Sequence, residues 1–189
     1  SYAPGSFPTS TADGKWEHGG AGGWTAGFFP GLLWQLYGAT NNATIKEQAL
    51  RWTAPLAVNR NNTHTHGNPT RCAHDTCGAD VGFMGFDSFG KGVELGGMGD
   101  TYTSVLVDTA HALSTRFNPT VGCTQSWPSG PRCRLHPSEI LEFPVIIDNM
   151  MNLELLLWAG RESGNATLTD IALSHANVTS YNHVRADGS

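Results

Sequence analysis

Apolar side chains recur every three or four residues in several segments, and this spacing predicts amphipathic helices. The first helix covers Phe28 to Tyr37, with Pro30 in its first turn, where proline is tolerated. The second begins at Thr44, which forms a capping box with Glu47, and Pro55 is expected to kink it. Together these two segments predict a helical hairpin.

Three more helices are predicted further along the chain. The third begins near Asp100 and stops before Phe117-Asn118-Pro119. The fourth runs from Asp148 to about Glu162 and is apolar nearly all round, which predicts burial against several neighbours. The fifth begins near Thr167 with a second capping box. Residues 1–24, rich in Gly, Pro, Ser and Thr and without a hydrophobic period, are expected to form an extended arm or loop.

The first and last hairpins repeat one another. Residues 32–50 match residues 155–173 at a constant offset of 123, with Leu-Leu, Asn-Ala-Thr and Ala-Leu in the same places. A repeated hairpin buries its apolar face against its neighbours, as in a solenoid or a closed toroid of helices. A plain helical bundle fits the two copies as well.

Composition and charge exclude several classes of function. Charged residues make up 14% of the chain and the formal net charge is −5, so there is no basic stripe for nucleic acid. The longest apolar runs are much shorter than the roughly 20 residues of a membrane span. The sequence contains no phosphate-binding loop, dinucleotide fingerprint or nucleophile elbow. We therefore expect a soluble protein with no nucleic-acid or membrane partner.

Two patterns predict a secreted, extracellular protein. Asn-x-Ser/Thr sequons predict N-glycosylation, and the four cysteines fall into two close pairs, which favours local disulfides in an oxidising compartment. The sequons are at Asn42, Asn61, Asn165 and Asn177, and the predicted disulfides are Cys72–Cys77 and Cys123–Cys133.

A zinc site is the alternative interpretation of the first cysteine pair. His64, His66 and His74 lie in the same segment as Cys72 and Cys77, and such side chains can hold tetrahedral zinc. The pattern lacks a second half at standard spacing, however, and the other cysteine pair lies in a Pro-rich loop. We therefore expect disulfides and no bound metal.

Two carboxylates in apolar settings are the candidate catalytic groups. Asp148 follows an apolar run and begins a buried helix, while Asp80 lies in a loop that enters apolar sequence. Apolar surroundings favour the neutral acid, whereas a helix N-terminus favours the anion, so the sequence leaves the protonation of Asp148 open. A helix cap at Asp148 and a simple turn at Asp80 are the structural alternatives. Trp24 and Trp127 are candidates for stacking against sugar rings.

Four motifs give the chain a family resemblance. Read in order, Trp24-Thr25-Ala26-Gly27-Phe28-Phe29-Pro30-Gly31, Asp80-Val81-Gly82-Phe83-Met84, Ile146-Ile147-Asp148-Asn149-Met150-Met151-Asn152-Leu153 and the closing segment from His183 resemble the unsaturated glucuronyl hydrolases, glycoside hydrolase family 88. The resemblance implies an all-α fold, the (α/α)6 barrel. That domain is about twice as long as this chain, because a closed toroid needs about six hairpins. Residues 1–189 are then the N-terminal half of one barrel, with the C-terminal half as a partner.

The resemblance also implies an activity without a cofactor. The family removes the 4,5-unsaturated uronic acid that polysaccharide lyases leave at the non-reducing end of oligosaccharides. It does so by hydrating the vinyl ether. By resemblance, Asp148 protonates C4 and then helps water to add at C5, while Asp80 holds the substrate hydroxyls and tunes Asp148. Trp24 and Trp127 line the sugar subsite.

Three other functions remain open from the sequence. An unsaturated rhamnogalacturonyl hydrolase has a similar fold and chemistry but acts on a different sugar. A non-catalytic carbohydrate-binding toroid binds the oligosaccharide and leaves its double bond intact. A zinc-dependent protein uses the His/Cys segment between His64 and Cys77.

Overall fold

The computed structural model describes residues 5–62, 80–126 and 142–188. These residues are mostly helical, as predicted, with two small antiparallel sheets of two strands each. None of the described helices is both long and apolar enough to cross a membrane. In chain order the elements are β1 (Phe7–Ala12), β2 (Lys15–Gly19), α1 (Phe28–Thr40), α2 (Ala43–Thr53), α3 (Val81–Gly85), α4 (Lys91–Gly96), α5 (Gly99–Ser114), β3 (Phe117–Asn118), β4 (Cys123–Thr124), α6 (Leu153–Ser163) and α7 (Ala166–His183). Turns of 3-10 helix cover Ala54–Asn59 and Ile147–Asn152, and a π-helical turn covers Phe86–Gly90.

The five predicted helices are all present, as α1, α2, α5, α6 and α7. The fourth starts differently from the prediction: Ile147–Asn152 forms a 3-10 turn, and the α-helix begins only at Leu153. The buried residues of α6 include Leu155, Leu156 and Trp158, which confirms burial on more than one side. Pro55 ends α2, because the chain continues from there as a 3-10 helix.

The hairpin repeat is confirmed by the geometry of the two helix junctions. Asn41 after α1 and Gly164 after α6 both have left-handed backbone angles, and they are 123 residues apart. Asn42 and Asn165 follow them as the N-caps of α2 and α7. The two hairpins, α1–α2 and α6–α7, therefore turn in the same way at equivalent positions.

The predicted capping boxes are wrong, because asparagine caps both helices. Asn42 Oδ1 accepts a hydrogen bond from the backbone N–H of Thr44 at 2.9 Å, and Asn165 Oδ1 accepts one from Thr167 at 3.1 Å. Asparagine is at least as good an N-cap as threonine, so the residue two positions earlier takes the cap. Each helix starts one residue before the predicted threonine.

The N-terminal segment contains a β-hairpin where an arm or loop was predicted. Strands β1 and β2 pair antiparallel, and the turn residues Asp13 and Gly14 both have positive φ angles. Asp-Gly favours this kind of tight hairpin turn, and that signal does not depend on hydrophobic periodicity. Phe7 at the start of β1 is fully buried and packs edge-on against Trp52 of α2, which attaches the hairpin to the helices.

Residues 80–96 form short helical turns rather than the loop expected around Asp80. Helix α3, the π-helical turn and α4 follow one another, and most of their side chains are buried. Helix α1 lies directly against them. A Cβ added at Gly27 would meet the Met84 carbonyl oxygen at 2.6 Å, and one at Gly31 would meet the Asp87 carbonyl oxygen at 2.6 Å. The two glycines of the first motif therefore let two backbones touch.

The prediction of a Cys123–Cys133 disulfide is wrong, because Cys123 is a free, buried thiol in this structure. Strand β4 places its side chain in the interior, close to Thr179 of α7. Burial raises the pKa of the Cys123 thiol, which keeps it protonated and unreactive. Cys72, Cys77 and Cys133 lie outside the described residues, so the Cys72–Cys77 bridge stays a prediction.

One face of α1 carries exposed apolar side chains at every fourth position. Phe28 is 38% exposed, Leu32 65% and Leu36 44%. Residues four apart lie above one another on a helix, so these three side chains form one continuous strip, which we call the α1 strip. The opposite side of α1 contributes Trp34 to the core, where its indole N–H donates to the Thr53 hydroxyl at 2.9 Å.

Candidate active site

The structure brings Asp80 and Asp148 into electrostatic contact, although 67 residues separate them in the chain. Asp80 immediately precedes α3, and Asp148 lies in the 3-10 turn that leads into α6. Burial and, to a smaller extent, the charge of Asp148 raise the pKa of the Asp80 carboxyl to about 6. The charge of Arg116 acts in the opposite direction. The two carboxyls therefore form one interacting acidic pair.

The two members of the pair have different surroundings. Asp80 is largely buried, whereas Asp148 is exposed. The simple helix-cap interpretation of Asp148 is wrong, because Ile146 occupies the cap position of the 3-10 turn. Asp80 does occupy the cap position of α3, but its side chain makes no capping hydrogen bond there. A buried acid without a capping role has an environment suited to holding a proton at neutral pH.

Two buried asparagines attach the Asp148 turn to its surroundings. Asn152 Oδ1 accepts a hydrogen bond from the backbone N–H of Phe83 in α3 at 3.1 Å. Asn149 Nδ2 donates to the Thr124 carbonyl of β4 at 2.9 Å. The turn is thus fixed on one side to the helix that follows Asp80 and on the other side to β4.

A neutral histidine of α7 forms a hydrogen bond to the backbone of β4. His175 is fully buried in α7, and its Nδ1 accepts a hydrogen bond from the backbone N–H of Thr124 at 3.0 Å. Burial, with a smaller effect from His183, lowers the pKa of His175, so the ring is neutral at physiological pH. Because Nδ1 accepts, the ring proton is on Nε2, which has no hydrogen-bond partner within the described residues.

Arg116 approaches the acidic pair from the segment between α5 and β3. Its side chain is buried, and its Nη2 donates to the Ser126 carbonyl at 3.0 Å. Ser126 in turn accepts a hydrogen bond from the backbone N–H of Ile146 through its hydroxyl, at 3.0 Å. This connection holds a positive charge near Asp80 and links Arg116 to the irregular segment that leads into the Asp148 turn.

Aromatic rings lead from the surface towards Asp80. Trp24 is 48% exposed and contacts Phe28 edge-on, with the ring centroids 6.3 Å apart. Phe28 stacks on the buried Phe83 at 5.8 Å, and Phe83 lies one turn after Asp80. Trp24 is therefore an exposed ring on the Asp80 side of the molecule, as a sugar-stacking residue needs to be.

Several predicted site residues lie outside the described part of the chain. These are Trp127 and the His/Cys residues of the zinc alternative. Within the described ranges no cluster of three or more potential metal ligands occurs. Among the sequons, Asn42 and Asn165 cap helices, while Asn61 and Asn177 are exposed, and glycosylation stays a prediction at all four.

The roles of four residues of the site were not predicted from the sequence. Asn149 and Asn152 stand in the motif around Asp148, and two buried amides in a helical turn were a usable signal. Arg116 gave no local signal, because its proximity to Asp80 depends on how α5 packs. Gly82 was read only as part of a motif, although its missing side chain makes room for Asn152.

Helical hairpins that hold an interacting carboxylate pair beside an exposed aromatic ring suit a glycosidase, because the pair can carry out acid–base chemistry and the ring can stack on a sugar. The comparisons with known proteins agree with this class. The chain is related to the unsaturated glucuronyl hydrolases in sequence and in fold, which confirms the resemblance predicted from its motifs. It is 37% identical over 164 residues to the unsaturated glucuronyl hydrolase of Formosa agariphila, a match that covers 87% of this chain and 36% of the relative.

Other relatives give the same result. The unsaturated chondroitin disaccharide hydrolase of Streptococcus pneumoniae is 27% identical over 168 residues, covering 88% of this chain and 37% of the relative. A crystal structure of an unsaturated glucuronyl hydrolase specific for heparin superposes with a TM-score of 0.83 and 36% identity, covering all of this chain and 45% of that one. No family profile matches. The chain thus spans less than half the length of the relatives it matches.

Proposed function

We propose that the chain is the N-terminal half of an (α/α)6-barrel glycoside hydrolase. The enzyme removes a 4,5-unsaturated glucuronic acid from the non-reducing end of lyase-generated oligosaccharides. The observation that carries this proposal is the interacting Asp80–Asp148 pair, in a chain that is related to the unsaturated glucuronyl hydrolases. The exposed α1 strip supports the half-barrel proposal, because further hairpins would cover it.

The acidic pair supplies both halves of a proton transfer. Near pH 6 Asp80 gains and loses its proton readily, and it supplies the proton that Asp148 delivers to the substrate, so the two carboxyls together donate a proton and accept another in one cycle. Asp148 is the exposed member, and we assign to it the direct contact with the substrate. Asp80 holds the sugar hydroxyls and keeps the pair partly protonated.

The reaction then proceeds by hydration of the vinyl ether. A proton from Asp148 adds to C4, and the positive charge at C5 is shared with the ring oxygen. Water adds at C5 and returns its proton to the Asp148 carboxylate, so the carboxyl is restored. The hemiketal opens, which leaves a hemiacetal at C1 that expels the remaining sugar. One water is consumed, no cofactor takes part, and the C4=C5 double bond is lost.

The ultraviolet absorbance of the C4=C5 double bond tests this function directly. We expect the complete barrel, with its C-terminal half present, to abolish the absorbance of a heparin- or chondroitin-derived unsaturated glucuronyl disaccharide. Faster loss with an unsaturated rhamnogalacturonyl disaccharide would instead favour the related hydrolase. Sugar binding with an unchanged double bond would favour a carbohydrate-binding toroid. Activity abolished by a chelator would point to the zinc alternative.

We also propose that the protein is secreted. The support for this is the four sequons, three of which have an exposed asparagine, namely Asn42, Asn61 and Asn177. A loss of mass on enzymatic deglycosylation of the natively expressed protein is the expected result. An unchanged mass would contradict glycosylation at these sites.

A further inference from the structure

We propose that Asn152 and Gly82 form a clasp that sets the spacing of Asp80 and Asp148. This makes Asn152 a positioning residue for the reaction. The inference rests on the proposed function for its catalytic meaning, but its structural part is tested independently below.

The contacts of the clasp join the two segments that carry the acids. Gly82 is the second residue after Asp80, and Asn152 is the fourth after Asp148. A Cβ at Gly82 would lie 2.7 Å from Asn152 Cβ and 2.8 Å from Asn152 Cα, and closest of all to Asn152 Oδ1. Only glycine at position 82 lets the two segments approach this closely. Because the segments are this close, Asn152 Oδ1 accepts a hydrogen bond from the backbone N–H of Phe83 at 3.1 Å.

The amide has the chemistry that this place requires. Asn152 is 1% exposed, so an apolar residue in its place would leave the N–H of Phe83 without an acceptor. An aspartate would accept the bond but would bring a third carboxyl close to the acidic pair, where like charges repel. Asparagine is a neutral acceptor, and it leaves the charge of the pair unchanged. Its Nδ2 has no partner within the described residues, so the amide is held there by its oxygen.

Matched variants separate the clasp from general stability. Gly82→Ala and Gly85→Ala introduce the same methyl group into α3, but at Gly85 the nearest neighbour, a Thr109 methyl, is an ordinary 3.5 Å away. Asn152→Ala and Asn59→Ala each remove a buried amide that makes one hydrogen bond to the backbone. Only the first member of each pair touches the clasp.

Two readouts are used for all four variants. The first is the pKa of Asp80, followed by carboxyl NMR titration, which needs no turnover. For Gly82→Ala and Asn152→Ala we expect this pKa to fall from about 6 towards the ordinary carboxyl value, because the acids separate and water enters. The second is the rate of double-bond loss, for which we expect about a tenfold or larger decrease in kcat with a smaller change in KM. Gly85→Ala and Asn59→Ala should leave both readouts unchanged.

An unchanged Asp80 pKa and kcat in folded Asn152→Ala protein would overturn the proposal. If both clasp variants fail to fold, Asn152→Asp keeps the acceptor for Phe83, and we expect it to raise the pKa of Asp80 further. An unchanged value in that variant would also overturn the clasp. If the wild-type barrel, with its C-terminal half present, consumes no substrate while the Asp80 pKa still responds, the clasp stands and the proposed function fails.

Discussion

At the scale of single residues, Asp80 is the side chain that most strongly links structure to function. Burial and the neighbouring Asp148 charge raise its pKa to about 6 from an ordinary value of 3.8. A folded state that holds a proton more tightly than the unfolded state loses stability as pH rises through this interval. Above pH 6 the ionised Asp80 therefore destabilises the protein, which is a cost that active sites commonly carry.

We predict that Asp80→Asn stabilises the protein at pH 8. The pKa difference sets an upper limit of about 3 kcal/mol, since one pKa unit corresponds to about 1.4 kcal/mol. At pH 3.5 the carboxyl is mostly protonated in both states, so the gain should nearly disappear. Urea unfolding of wild type and variant at the two pH values measures this difference. If Asp80→Asn lowered the free energy of unfolding equally at both pH values, burial would not destabilise the ionised carboxylate.

Individual residues also differ in how far their roles in the site could be predicted from the sequence. Asp80 and Asp148 were identified by their apolar neighbours and by the family motifs. Nothing local indicated which carboxyl holds the proton, because that depends on burial by distant segments and on Arg116. Gly82 and Asn152 lie inside recognised motifs, yet their contact joins positions 70 residues apart and becomes visible only in the fold.

At the scale of secondary structure elements, periodicity was sufficient to predict the five longer helices, but it indicated neither their ends nor the short helices α3 and α4. The repeat of Asn-Ala-Thr correctly indicated two equivalent hairpins. The capping residue was misassigned because asparagine and threonine are both good caps, and only the backbone geometry distinguishes them. The β-hairpin was missed because its signal is the Asp13-Gly14 turn and not its apolar pattern. Cys123 was misassigned because spacing alone does not show which way a thiol points.

The repeat predicts equal contributions from its two caps. Asn42→Ala and Asn165→Ala should each lower the free energy of unfolding by about 1 kcal/mol, because each leaves helix N–H groups without an acceptor. Asn177→Ala, on the exposed face of α7, is the matched control and should not lower the free energy of unfolding, because alanine is the better helix former. Denaturant unfolding of unglycosylated protein measures all three. A loss of stability in the control as large as in the caps would contradict the capping role.

At the scale of the whole molecule, the α1 strip is a row of apolar side chains that the described residues leave uncovered. Phe28, Leu32 and Leu36 stand in one row on a helix whose other side is buried. In the proposed barrel, further hairpins cover this row. Phe28, the first residue of the strip, contacts Trp24. The surface that further hairpins would cover therefore lies next to the candidate sugar subsite.

We predict that this 189-residue chain on its own associates through the α1 strip. Replacing Leu32 and Leu36 with serine should shift sedimentation towards monomer, because exposed apolar area drives association. Leu173→Ser on α7, also about half exposed, is the control and should leave the association unchanged. A wild-type chain that stays monomeric at high concentration would contradict the role of the strip.

The most direct test of the account is the pH dependence of double-bond loss from an unsaturated glucuronyl disaccharide. The wild-type profile of kcat/KM should contain a titration near pH 6, from the acidic pair. Asp148→Asn should abolish turnover, because it removes the proton donor. Asp80→Asn should lower turnover strongly and remove the titration near pH 6. Full activity in Asp148→Asn, or an unchanged profile in Asp80→Asn, would contradict the central claim that these two carboxyls act as one pair.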